Sequence, residues 1–164
     1  MKYVLLGIIF VVCTLVGYTF SLKYKRRQKF FSSIIMLAEK LDVEINYSRE
    51  RLKKLILEFD ENQKKNLLGI ENNYLNFLDG DEELTNELLF KNITFLKPSE
   101  RDVVFLFFKN LGRSDVENQS KEIKSHVKRF EDISKICDVE NKKYGSLCTK
   151  LGIIAGLFLI VIFI

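Results

Sequence analysis

Twenty consecutive uncharged residues, Tyr3 to Leu22, stand between Lys2 and Lys23, and a second uncharged run, Leu151 to Ile164, closes the 164-residue chain. Nothing else in the sequence constrains the fold as strongly. At about 1.5 Å per residue, the first run can cross a ~30 Å hydrocarbon core as a helix. The second reaches only about 21 Å by the same measure. Extended back to Gly145 it becomes twenty residues, with Lys150 snorkelling to the interface. Residues 3–22 and 145–164 are therefore expected to be transmembrane helices, with residues 23–144 folded between them. A free soluble enzyme does not fit such ends.

A secretory signal fits Tyr3–Leu22 poorly, because only Lys2 precedes it and no small-x-small cleavage site comes before Lys23. Cys13 follows Val11 and Val12 rather than a small residue, which argues against lipidation there. Lys23, Lys25, Arg26, Arg27 and Lys29 follow the span directly. Such a cluster is expected on the cytoplasmic side, against anionic lipid headgroups. Both chain ends then lie outside and the middle is cytoplasmic, so that Cys137 is shielded from an impermeant thiol reagent. The net charge of +4 arises here: residues 1–38 hold six bases and no acid, the rest 20 bases and 22 acids. A nucleic-acid-binding protein would spread its bases over a folded face, so nucleic acid is not an expected partner. In the second span, Gly152-Ile-Ile-Ala-Gly156 has the spacing that lets two helix backbones approach in lipid.

One proline, no tryptophan and many Leu, Ile, Phe, Lys and Glu favour helices. The expected fold is all-α, a helical bundle between two membrane helices. Phe30, Ile34, Leu37, Leu41 and Ile45 mark a helix leaving the first span. Shorter helices are expected over Glu50–Glu58, Asn62–Leu78 and Glu82–Phe90, with a break at Gly80. Ser99 with Asp102 reads as a helix start and Gly112 as a stop. Ser114 with Glu117 forms a Ser-x-x-Glu capping box, so Leu111 to Asp115 is a tight corner. A long helix follows, with Val116, Gln119, Ile123, Val127, Phe130, Ile133 and Cys137 on one stripe. Gln119 is its polar member and is expected to bond a neighbouring helix, since a buried amide needs partners.

The chemistry of catalysis is missing. There is no Gly-rich phosphate loop, no HExxH and no nucleophile elbow. Cys13, Cys137 and Cys148 show no metal or disulfide spacing. His126, the single histidine, has no Ser or Cys partner that can be named, and Asp81-Glu82-Glu83 reads as a solvated helix start. No catalytic residue, cofactor or metal is expected.

The block Leu111-Gly-Arg-Ser-Asp115 with Gln119 and Lys121, then Lys143-Tyr144 and Leu151-Gly152, resembles the stage III sporulation protein AB family. Glu44-Ile45-x-Tyr47 and the spans at both ends fit the same pattern, over essentially the whole chain. Family members belong to the membrane complex linking mother cell and forespore in endospore-forming bacteria. Their cytoplasmic domain is similar to the helical F domain of platform proteins in type II secretion and type IV pilus systems. The resemblance implies a non-enzymatic platform in the mother-cell membrane. Its partners would be a cytoplasmic secretion-type ATPase, other stage III sporulation membrane proteins and the membrane; a homo-oligomer is compatible with it. The alternative from another class is a two-span sensor or regulator with a helical signalling domain. So little projects outside in the expected topology that this alternative ranks second.

Overall fold

The computed structural model describes residues 2–43, 49–80, 83–91, 93–111 and 116–163. Every regular element among them is helical: α1 (Lys2–Val43), α2 (Arg49–Leu57), α3 (Glu61–Leu67), α4 (Ile70–Asp79), α5 (Asn86–Leu89), α6 (Pro98–Asn110), α7 (Val116–Glu140) and α8 (Ser146–Phe163). A single π-helical turn, Asn141–Gly145, joins α7 to α8. The helices form two compact units: Met1–Gln28 with Lys135–Ile164, and Lys29–Ser134. Both α1 and α7 contribute residues to each unit.

The larger unit is built on aromatic side chains at helical spacing. Phe30, Phe31, Phe107, Phe108, Phe130 and Tyr74 are all essentially inaccessible to solvent. Phe31 of α1 meets Phe130 of α7 at 6.4 Å between ring centroids, and Phe107 of α6 meets Phe130 at 5.4 Å. Tyr74 of α4 lies 4.9 Å from Phe108. Edge-on and tilted arrangements dominate, as the ring quadrupole favours. Around this core, Phe30, Ile34, Leu37 and Leu41 of α1 are buried at the expected three- and four-residue intervals. Ile45 lies outside the described residues.

Polar side chains fasten the short helices. Ser33 of α1 donates to Gln63 Oε1 of α3 at 2.6 Å and accepts from Asn66 Nδ2 at 3.1 Å. Lys40 and Lys64 donate to the carbonyls of Glu58 and Leu57, covering the C-terminal end of α2 where orphan acceptors and a negative dipole end need cations. Asp60 caps α3 by accepting from the N–H groups of Asn62 and Gln63. Arg101 donates to Ile93 O at 2.8 Å and Asn73 to Leu89 O at 3.0 Å, which holds the segment before α6.

Several expected boundaries move. Asn62–Leu78 is two helices, because the chain turns at Leu68 (φ 54°) and Gly69 (φ 85°). Glycine tolerates that region freely, whereas a leucine there is held by its surroundings. The Glu82–Phe90 helix shrinks to Asn86–Leu89, since the Thr85 hydroxyl accepts from Leu88 N–H at 3.2 Å and starts the helix late. Glu82 itself lies outside the described residues. Pro98, not Ser99, opens α6: its fixed φ suits the first helical position, and Glu100 Oε2 accepts from Lys97 N–H at 3.0 Å. Arg49–Leu57 coincides with the expected helix to within a residue at each end.

Candidate functional site

In the smaller unit α1 and α8 pack on each other, and glycine decides how closely. The inward positions of α1 are Leu6, Phe10, Cys13, Gly17, Ser21, Tyr24 and Arg27, spaced by three or four residues as in a coiled-coil seam. A Cβ added at Gly17 would lie 2.6 Å from the Cys148 carbonyl oxygen and 3.0 Å from Gly152 Cα. One added at Gly152 would lie 2.8 Å from the Cys13 carbonyl oxygen. Backbone meets backbone here, so neither side can yield. At Gly156 the obstacle is the Phe10 ring, 2.7 Å away. Gly152 and Gly156, which the sequence suggests for helix packing, thus stand against α1, and Gly17 is the partner that the motif alone does not reveal.

The outward faces of the same helices are apolar and uncovered. Leu5, Ile8, Val12, Leu15, Leu151, Ile154, Phe158 and Val161 are each more than half exposed. Both helices are long and apolar enough to cross a membrane, and only 11% of each apolar window is buried. The core helix of a soluble protein would be mostly covered. Thr14 and Thr19 bond back to the carbonyls of Phe10 and Val16, which removes hydroxyl groups that lipid could not satisfy.

A polar belt closes the unit beyond the apolar windows. Arg27 is buried and forms a hydrogen-bonded ion pair with Glu140. Gln28 Nε2 donates to Asp138 Oδ1 at 2.8 Å and its Oε1 accepts from Asn141 Nδ2 at 2.6 Å. Lys142 pairs with Asp138 at 2.6 Å. The rings of Tyr24 and Tyr144 lie 5.8 Å apart, on the apolar side of these charges along both helices. Charges so placed are too costly for hydrocarbon, whereas tyrosine suits the interface. Arg27 is therefore corrected from its expected place among the headgroup-facing cations: Glu140 holds it inward. Lys23, Lys25, Arg26 and Lys29 remain exposed. Nothing at the sequence level singles out Glu140, Asp138, Asn141 or Gln28; the available signal is two acids and two amides flanking the spans opposite a basic cluster.

In the larger unit Phe107, Asn110 and Leu111, with Gln119, Glu122, Ile123 and His126 of α7, line a small pocket open to solvent. Leu111 and Gln119 are buried. Gly112, Ser114 and Asp115, the other members of the sequence block, lie outside the described residues, and so does the capping box. The inter-helix hydrogen bond next to Gln119 is made by Ser120, whose hydroxyl donates to Asp42 Oδ1 of α1 at 2.7 Å.

His126 packs its ring against Phe107 (5.6 Å) and Phe130 (6.1 Å), and its Nδ1 has no hydrogen-bond partner. Burial, and then the nearby Arg129, hold its pKa below the usual value of 6.5, against an opposing pull from Glu122. Burial likewise pushes the Glu71 carboxyl above 4.5, although backbone hydrogen bonds and Lys64 oppose the shift. Neither group has the company of a catalytic centre. Among the described residues no three His, Cys, Asp or Glu side chains converge as a metal site would require, and Cys13, Cys137 and Cys148 are all free thiols. Cys137 is buried within the protein, so its shielding from a thiol reagent would not report membrane topology.

The family model of stage III sporulation protein AB matches residues 2–164. The chain belongs to that family. The match spans both apolar helices, the polar belt and the whole larger unit, so these features share one family assignment with a role in sporulation. No curated protein and no solved structure matches the chain.

Proposed function

We propose that this sporulation protein is a non-enzymatic membrane platform in the mother-cell membrane. It couples a cytoplasmic secretion-type ATPase to the other membrane proteins of the stage III complex. One observation carries the reading: α1 and α7 each contribute to both the apolar unit and the aromatic-cored helical unit. A partner's push on the helical unit then has two covalent routes into the bilayer. The proposed topology puts both chain ends outside and residues 29–134 in the cytoplasm, with Lys23, Lys25, Arg26 and Lys29 against anionic headgroups. An F-domain-like role for the helical unit belongs to this proposal. The corner of Leu111, Gly112, Ser114, Asp115 and Gln119 is its candidate contact surface. The protein hydrolyses nothing itself; the ATPase supplies the energy.

Affinity capture of the detergent-extracted protein from sporulating cells, with mass spectrometry of what accompanies it, tests this. A secretion-type ATPase recovered with other sporulation membrane proteins is the expected result. An abundant bait that arrives without them would sink the platform reading and favour the two-span regulator.

A further inference from the structure

The seam between α1 and α8 has a definite register. Gly17 lies against Cys148 and Gly152, Phe10 against Gly156 and Ser21 against Gly145, so the helices run antiparallel and Lys150 stands level with Gly17. That level is about 9 Å inside Lys23, six residues along α1. Two antiparallel helices that face each other both turn toward the same side of their common plane as residue number rises. At about 100° per residue, Tyr18 and Ser21 stand about 40–100° from Gly17 on that side. Ser146, Thr149 and Lys150 stand about 40–140° from Gly145, on the same flank. At this depth the other flank presents Val16, Phe20, Cys148 and Leu151, apolar apart from the Cys148 thiol.

The polar flank is unsatisfied. Among the described residues, no side-chain hydrogen bond or ion pair reaches Tyr18, Ser21, Ser146, Thr149 or Lys150, whereas Thr14 and Thr19 bond back to the carbonyls of Phe10 and Val16. A serine or threonine makes that backbone bond by turning its hydroxyl. The Tyr18 phenol and the Lys150 ammonium have no such recourse, and hydrocarbon offers no partner in its place. Lipid surrounds the helix pair on both flanks alike, so snorkelling to headgroups gives no reason for polar groups on one side alone. The sidedness points to a protein. Residues 3–22 and 145–164 contain no Asp or Glu, so a second copy brings no carboxylate to this depth.

We infer that this flank docks a membrane helix of a different protein, one that carries an Asp or Glu inside its own apolar run. The carboxylate pairs with Lys150, and the hydroxyls of Tyr18, Ser146 and Thr149 supply further donors along the contact. The inference deepens the platform reading and rests on it for the source of that helix, another membrane protein of the stage III complex.

Site-directed photocrosslinking of the full-length protein in sporulating cells tests it. A photoreactive benzoylphenylalanine is placed at Tyr18 or, as the control on the opposite flank, at Val16; the two positions are 51% and 50% exposed. Irradiation should join position 18 to a different membrane protein whose apolar run holds an Asp or Glu, with little product from position 16. Lys150→Met should remove most of that product and Lys150→Arg should keep it, once both variants are shown to reach the membrane in parent amounts. A product that is phospholipid or a second copy of this chain overturns the inference. So do equal yields from the two flanks, a partner without the acidic residue, no product at all, or a product indifferent to Lys150→Met. The expected product, found where affinity capture recovers no ATPase, would leave this contact standing while the platform reading fell.

Discussion

At Gly17 two backbones leave no room for a side chain, while ten residues nearer the N-terminal end of α1 a Cβ on Gly7 would meet nothing within 4 Å. The contrast makes a clean prediction. Gly17→Val should lower the melting temperature of the detergent-solubilised protein, whereas Gly7→Val should leave it unchanged. Equal effects at the two positions would mean that the helix pair does not depend on close approach. Glu71 and His126 give a second residue-scale prediction, of opposite signs. Burial raises the Glu71 pKa above 4.5, so the fold prefers its neutral form and loses stability as pH rises from 4.5 through the folded value. Glu71→Gln should therefore raise the melting temperature at neutral pH. His126, with its pKa lowered from 6.5, contributes fully above that value, and its contribution is lost as pH falls below it. A His126→Phe variant should lose less stability than the parent between pH 7 and pH 5. A parallel pH dependence of the two melting curves would show that His126 does not titrate in the fold. These residues were poorly legible beforehand, because a lone histidine or glycine has no meaning until its neighbours are known.

Among the elements, the long helices were the readable ones. Phe30, Ile34, Leu37 and Leu41 repeat at helical spacing and are buried, as are Gln119, Ile123, Phe130 and Cys137 of the α7 stripe. Val127 and Ile133 sit on its flank, and His126 takes the inward place beside them. The short helices were less legible, since four to ten residues leave little periodicity and a single cap or turn moves the boundary. The Leu68–Gly69 turn is the case in point. Gly69 has a φ of 85°, so Gly69→Ala should cost about 1 kcal/mol in chemical denaturation. Leu68→Gly, at φ 54°, should be close to neutral because relieved strain offsets added chain entropy. A Gly69→Ala variant as stable as the parent would mean that the turn relaxes and that α3 and α4 can merge. The π turn at Asn141–Gly145 could not be read at all, because no residue type or spacing there marks a surplus residue.

For the whole molecule, the apolar ends and the basic cluster already pointed to a membrane protein with a helical middle. The structure adds that the apolar unit extends past the spans, to Gln28 and back to Lys135, with the polar belt at its base. Charge counting could not find that belt, because Arg27 adds to a basic run in sequence yet is neutralised by a residue 113 positions away. A platform of the proposed kind requires one arrangement, two membrane helices with residues 29–134 on the cytoplasmic side. Cys137 cannot report it, being buried, but Glu131 is exposed on α7. The decisive measurement is labelling of Glu131→Cys, with the three native cysteines replaced by Ala, using a membrane-impermeant maleimide. The protein should stay unlabelled in intact cells and react fully once they are permeabilised. Full labelling in intact cells would place the helical unit outside and contradict the platform account at its foundation.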